Sequence, residues 1–221
     1  MTEDILVPLT PRGRATQARI LGAAAELFYC RGLHNTSMGD VRRAATVSGS
    51  QLTHYFPDRR AVVRGVIGSR RNEMVEFHTG GRLSRLDSFQ ALQDWADLNV
   101  QKQLDMDCVG GCTFGSLVGE LVPSDEDYGT DLVAVYEEWI ALFRSALAAM
   151  RKRGELRPDS DPRHLARVLV AAHQGGSLLT QTTRSVTPLR DSLNAAVRYV
   201  ASFATESVTL ESRRPTRRRT S

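Results

Sequence analysis

Apolar residues recur every three or four positions along almost the whole chain, and no stretch shows sustained alternation with period two. That pattern fits one face of a helix and excludes a half-buried strand. Residues 16–32 place Ile20, Leu21, Ala24, Leu27 and Phe28 on one face, and Gly32 supplies a stop. Thr36 or Ser37 can cap a short helix over 38–45, and Ser48 another over 49–55. Pro57 and Asp58 close that piece and open a longer helix to about residue 79, before Gly80 and Gly81. Five further helices are predicted over 87–106, 113–121, 126–153, 162–184 and 188–207, with boundaries marked by Pro123, Gly154, Pro158, Pro162 and Pro188. The chain reads as all-α, with about nine helices and no internal repeat. Its last residues, ESRRPTRRRTS, lack apolar side chains, so 209–221 is expected to be a disordered basic tail.

Composition narrows the function classes. At 221 residues, 41% hydrophobic and 24% charged, the chain can build a core. No apolar run approaches the ~18 residues of a membrane span. Glu3 and Asp4 stand where a secretory signal would be positive, so a cytoplasmic location is expected. Three cysteines suit a reducing compartment better than a disulfide scaffold. Charge is uneven: residues 1–75 carry a net +5, residues 76–205 a net −4 and residues 206–221 a net +3. A basic front suits a polyanion-binding module, although ordinary surface chemistry gives a similar balance.

The first three predicted helices form a helix-turn-helix candidate. Such a module sets a short recognition helix in the DNA major groove, held from behind by an apolar face. In Gly49-Ser50-Gln51-Leu52-Thr53-His54-Tyr55-Phe56, Leu52 and Phe56 lie four apart and point inward, leaving Ser50, Gln51, Thr53 and His54 for base edges.

Residues 16–67 carry T-x-x-x-I-L-x-A-A-x-x-L-F, then R-G, then T-S-M-x-D-V, then V-S-x-S-x-L-x-H-Y-F-x-D-R. In this order and spacing they resemble the DNA-binding domain of TetR-family transcriptional regulators. The resemblance implies an N-terminal arm and helix-turn-helix domain over 1–57, and a helical effector-binding and dimerisation domain over 58–208 whose first helix, 58–79, is a connector. It places Thr36 and Ser37 at the cap of the second helix, near phosphate. It places Gly49, Ser50, Gln51, Thr53 and His54 nearest the bases, behind the cap Ser48, with Gln51 favoured for pairing with adenine. It places Tyr55 and Arg59 on the DNA backbone. Arg12 and Arg14, ahead of the first predicted helix, would form a basic arm. Two positions depart from the family. The turn carries Thr46 in place of the usual Gly; a β-branched residue at positive φ is strained by ~1–2 kcal/mol, which gives the turn reason to differ in shape. Thr53 replaces the usual Tyr and its phosphate contact.

The segments GGCTFGSLVGEL (110–121), GEL (154–156) and AAHQGGSLL (171–179) resemble the C-terminal domain of the LmrA/YxaF type. That resemblance implies a dimer built by the last two helices, for which the apolar stripe gives Leu165, Leu169, Ala172, Gly176, Leu179, Leu193, Val197 and Val200. Gly175 and Gly176 would allow close approach, or simply weaken a buried helix. A pocket for a small hydrophobic effector would draw on Trp95, Leu98, Phe114, Leu117, Tyr136, Trp139, Phe143 and His173, although such stripes are more often core. Cys108 and Cys112 could bind metal or oxidise, but the closest histidine is His78, so ordinary packing is the simpler reading and no metal or cofactor is expected. No catalytic triad or phosphate loop is spaced for chemistry. The expectation is a homodimeric regulator, most simply a repressor, bound to a pseudo-palindromic operator and released by an effector. The alternatives are a DNA-binding regulator with no effector, and an all-α enzyme.

Overall fold

The computed structural model describes residues 10–109, 111–121 and 126–205. Among them are nine α-helices: α1 Pro11–Arg31, α2 Met38–Ala44, α3 Gly49–Tyr55, α4 Arg59–Thr79, α5 Phe89–Asp105, α6 Thr113–Leu121, α7 Glu126–Lys152, α8 Pro162–Thr183 and α9 Thr187–Ala201. A single 3₁₀ turn, Gly81–Leu83, precedes α5. No described helix is long and apolar enough to cross a membrane. The tail expected over 209–221 lies outside the described residues.

Most ends follow their cap chemistry, and two differ from expectation. Helix α1 starts five residues earlier than its apolar stripe suggests. Thr10 caps it by accepting the Gly13 N–H at 3.1 Å, and Pro11 at the first position lacks the N–H that would be unpaired there. Helix α9 stops at Ala201, short of 207. The chain beyond it turns and pairs antiparallel with the α7–α8 connection, so Arg157 N–H donates to Phe203 at 2.8 Å and Thr205 N–H to Glu155 at 3.0 Å.

The chain packs as two compact units. The first takes residues through Asn72 together with Ser116–Leu132, and the second takes Glu73–Gly115 and the chain from Val133 on. The first unit thus reaches past the boundary expected at 57. Val62, Val63, Val66 and Ile67 on α4 are buried and belong to it, as do Ile20, Ala24, Phe28, Val41, Leu52 and Phe56. At Gly65 a Cβ would lie 2.6 Å from the Leu21 side chain and 2.9 Å from the Phe56 ring, so the missing side chain lets α4 pack on α1 and the end of α3.

In the second unit α8 and α9 form the most extensive helix pair. Gly176 allows their contact. A Cβ there would fall 2.3 Å from Ser192 Oγ and 2.9 Å from Leu189 Cα. Leu165, Leu169, Leu189, Leu193 and Val200 are fully buried along this unit's core.

Candidate functional site

The recognition element is built from its caps. Ser48 Oγ accepts the Gln51 N–H at 3.1 Å, and Gln51 Oε1 accepts the Ser48 N–H at 3.0 Å, a reciprocal capping box on α3. Helix α2 carries the same device: Ser37 Oγ accepts the Asp40 N–H at 3.1 Å, and Asp40 accepts the Ser37 N–H at 2.9 Å. Hydrogen bonds from Ser37 hold the Asp40 carboxyl well below its ordinary range, at about 2.

Between α2 and α3 the chain turns at Thr46, with φ +53°. Val47 N–H donates to Arg42 and Thr46 N–H to Arg43, the two bonds of a Schellman C-cap. The turn keeps the left-handed conformation that suits glycine, and Thr46 accepts the strain; the different shape anticipated for it is not found. Arg19 on α1 donates from Nε to the Ala45 carbonyl at 2.9 Å and fixes the turn from behind. The sequence reading missed Arg19, because nothing in its helical spacing marks a partner 26 residues away in the same unit.

On this frame Leu52 and Phe56 are buried, while Ser48, Gly49, Ser50, Gln51, Thr53 and His54 are exposed and Tyr55 is half-buried. Four of these side chains are engaged locally. Ser48 Oγ and Ser50 Oγ are 3.0 Å apart, Thr53 Oγ1 donates to the Gly49 carbonyl at 3.1 Å, and Gln51 closes the cap. Bidentate pairing of Gln51 with adenine would require its Oε1 to leave Ser48 N–H. His54 sits edge-on to Tyr55, ring centroids 4.9 Å apart.

Two expected phosphate contacts bond within the fold instead, and two sit in a different element than expected. Thr36 is buried, and its hydroxyl donates to the Gly32 carbonyl at 2.9 Å, so Ser37 alone is the α2 cap. Arg59 is half-buried and its guanidinium donates to the Thr36 and Leu33 carbonyls, clamping the α1–α2 loop. Two of its nitrogens therefore serve the fold. Arg12 and Arg14 lie inside the first turn of α1, not on an arm ahead of it, and both are exposed. A cation at a helix N-terminus opposes the macrodipole, and α1 carries no acid in its own first turn.

In the second unit five of the eight expected ligand residues form one buried cluster. Trp95, Phe114, Trp139, Phe143 and His173 are each at most 7% exposed. Trp95 meets Phe143 at 4.8 Å between centroids, Trp139 meets His173 at 5.1 Å, and half-buried Tyr136 meets Phe114 at 4.9 Å. Burial, then the Cys112 sulfur, push the Tyr136 phenol up from its ordinary value. Leu98 instead lines an open groove of about 350 Å³ with Glu76, Phe77, Gly80, Arg82 and Leu83. Leu117 is buried in the first unit.

The organising residue of this cluster is His78. Its Nδ1–H donates to the Met74 carbonyl at 2.7 Å, and its Nε2 accepts the indole N–H groups of Trp95 and Trp139, each at 3.0 Å. Burial lowers its pKa to about 4. Beside it Asn99 donates to the Trp95 carbonyl at 2.8 Å, and its Oδ1 accepts from His173 Nε2 at 2.9 Å. His173 is lowered further, to about 3, mainly by burial. Gln103 and Ser177 complete this polar layer. Only His173 was foreseen. The signal for the others was a polar residue recurring at i+4 along a buried face: Trp95, Asn99 and Gln103 on α5, His173 and Ser177 on α8.

The expected dimer residues also need correction. Leu165, Leu169, Gly176, Leu193, Val197 and Val200 are buried inside the protomer, and Ala172 is half-buried. Their stripe packs α8 and α9 into their own unit. Of that set only Leu179 is well exposed, at 53%, next to Leu178 at 63%. Cys108 is buried and Cys112 half-buried, both as free thiols; Cys112 Sγ accepts from Gly115 N–H at 3.4 Å and from Gln174 at 3.3 Å.

Comparison with known proteins agrees with this architecture. Residues 20–66 match the bacterial regulatory proteins of the tetR family, and residues 88–196 match the tetracyclin repressor-like C-terminal domain; that second match names no LmrA/YxaF type. A transcriptional regulator in the lacX 3′ region of Lactococcus lactis subsp. lactis is 26% identical over 82% of this chain and 91% of its own length. The transcriptional repressor DhaR of Mycobacterium sp. (strain GP1) is 24% identical over 85% and 92%. The crystal structure of a TetR transcriptional regulator from Chloroflexus aurantiacus J-10-FL shares the fold, with a TM-score of 0.75, 20% identity and coverage of 88% and 98%. The capped α2–turn–α3 element and the helical second unit are those of a non-enzymatic, DNA-binding regulator: the chain belongs to the TetR family of transcriptional regulators.

Proposed function

We propose that this regulator is a homodimeric repressor whose two copies of α3 enter successive major grooves of a pseudo-palindromic operator, and that a small molecule bound in the second unit releases it. One observation carries the DNA-reading part: a doubly capped α3 turns Leu52 and Phe56 inward and leaves Ser48, Gly49, Ser50, Gln51, Thr53 and His54 exposed on one short rod. Tyr55 and the first-turn cations Arg12 and Arg14 would hold phosphates beside it, with Ser37 at the α2 N-terminus. The name of DhaR describes a repressor, which favours repression as the mode.

The dimer would use the outward faces of α8 and α9. Ala171, Gly175, Leu178, Leu179, Ala195 and Tyr199 are exposed there. Two leucines flanked by small residues suit close helix packing against a second copy. A double substitution, Leu178→Glu with Leu179→Glu, should give a monomer by sedimentation that binds operator at least tenfold more weakly, since a single half-site remains. An intact dimer would place the interface elsewhere.

A second reading, a regulator with no effector, draws on the aromatic cluster, whose rings are packed on one another. Thermal melting of the full chain against a panel of small molecules separates the two. A ligand that binds the native state raises the melting temperature, and one that releases the operator must prefer one of two states.

A further inference from the structure

The polar layer between α5 and α8 consists of two rungs. Asn99 and Gln103 lie one turn apart on α5, and His173 and Ser177 one turn apart on α8. The first rung is closed by the His173–Asn99 hydrogen bond at 2.9 Å. The second is open. Gln103 gives its Nε2 to the Gly111 carbonyl at 2.9 Å, but Gln103 Oε1, His173 Nδ1 and Ser177 Oγ have no hydrogen-bond partner among the described residues. Gly111 joins the two sides at this level, because a Cβ on it would lie 3.2 Å from the Ser177 carbonyl oxygen. Gln103 is 4% exposed, His173 7% and Ser177 0%.

Buried polar atoms are almost always paired, and each unpaired one destabilises the fold. Three in one layer have a definite chemical complement. Asn99 donates to Trp95, so its Oδ1 must accept, which keeps the His173 proton on Nε2 and leaves Nδ1 as an acceptor. Gln103 Oε1 is also an acceptor. Ser177 Oγ can donate. The matching group offers two N–H donors and a carbonyl side by side, as a primary carboxamide does. Charge is disfavoured, because the buried polar residues of the described chain include no acid, lysine or arginine to pair with it. The Trp95 and Trp139 rings, 6.0 and 5.1 Å from His173 between centroids, favour a flat body. The loop closing this level has Asp107, Cys108 and Gly111 at φ +51°, +56° and +52°. Two non-glycine residues in that conformation give it a reason to rearrange around a ligand.

We infer that the effector is a small, planar, uncharged molecule with a carboxamide-like edge, bound between α5 and α8 with its N–H groups on Gln103 Oε1 and His173 Nδ1 and its carbonyl on Ser177 Oγ. This rests on the effector reading above and names the class of molecule.

The test uses the full chain and benzamide as the probe, with methyl benzoate, benzoate and benzylamine as controls of matched shape. Melting temperature and operator release are both read. Benzamide at millimolar concentration should raise the melting temperature by a few degrees, and the three controls should not. Ser177→Ala should melt no lower than the parent without probe, because it removes only an unpaired buried polar atom. Gln103→Met also takes the donor from the Gly111 carbonyl and is read against its own probe-free melt. Each should weaken benzamide binding roughly tenfold or more. Equal action by methyl benzoate, or a benzamide shift retained in both variants, overturns the inference. A different compound that releases the operator without regard to Gln103 or Ser177 overturns it too, while sparing the effector reading. If no compound in a broad panel shifts melting or release, the effector reading itself falls, and this inference with it.

Discussion

The two units treat their polar side chains in opposite ways. Around α2 and α3 the exposed hydroxyls, amides and carboxylates close local loops: Ser37 with Asp40, Ser48 with Gln51, Thr53 with Gly49, Arg19 with Ala45, Arg59 with Thr36 and Leu33. In the second unit the distinctive polar side chains are a buried set on α4, α5 and α8, and some of their atoms lack partners among the described residues while His78 has three. Local closure at a surface stiffens a binding element before it meets DNA, at little desolvation cost. Incomplete closure in a core leaves hydrogen-bonding capacity that something else can satisfy. One region is thus preorganised for a partner it meets from outside, and the other is unsaturated within.

The largest effect that would test this contrast is at His78. His78→Phe removes the only acceptor described for two buried indole N–H groups, each costing ~1–3 kcal/mol when unpaired. A loss of ~2–6 kcal/mol in urea unfolding is expected. The same residue predicts a pH dependence. Unfolded histidine takes up a proton below about pH 6.5, whereas folded His78 does so only below about 4. Between those values the unfolded chain holds more protons, so stability is full above about pH 6.5 and falls as pH drops toward 4. His173 extends the loss toward about 3. Unfolding free energies that stay flat from pH 7 to 4.5 would show that these histidines are not held neutral, and the contrast between the units would lose its clearest member.

Arg59 comes next. Its guanidinium supports two loop carbonyls, so Arg59→Ala should lower the stability of the first unit by ~2 kcal/mol. Operator affinity should fall with it while the slope of log affinity against log salt stays the same. A phosphate contact would behave otherwise, with the slope falling by roughly one and stability unchanged. Measuring the melt and the salt slope on one variant decides between clamp and contact.

These cases show what the sequence could disclose. The helices, their order and the recognition rod were legible because caps, prolines and apolar spacing are local signals. The α8–α9 stripe was read correctly as apolar but assigned to the wrong neighbour. Leu165, Leu169 and Leu193 look the same from the sequence whether they face their own protomer or a second copy, and the exposed face is marked instead by Ala171, Gly175 and Ala195. Arg59 and Thr36 resemble surface contacts in a family pattern, yet their partners are 23 and 4 residues away along the chain, and only the folded loop brings the first pair together. Asn99, Gln103 and Ser177 left only their i+4 spacing as a trace: a polar residue on an apolar face acquires meaning from the helix opposite.

The smallest effects probe the recognition turn. Thr46 holds φ +53° inside a Schellman cap, where glycine is free of the Cβ penalty. Thr46→Gly should stabilise the first unit by ~1 kcal/mol, after allowance for glycine's greater freedom in the unfolded chain. Because the turn already has the left-handed shape, operator affinity should change little. Gln51→Glu sharpens the point from the other side. A carboxylate can still accept the Ser48 N–H, so the α3 cap and the melting temperature should survive, but a negative charge then faces the operator and binding should weaken on every sequence. Gln51→Ala removes the cap acceptor as well, at a cost of ~1 kcal/mol in stability. If Gln51→Ala loses discrimination at a single base pair per half-site, the amide must leave the cap to read DNA; if it loses stability alone, Gln51 belongs wholly to the closed surface of the first unit, and base reading passes to its neighbours Ser50, Thr53 and His54.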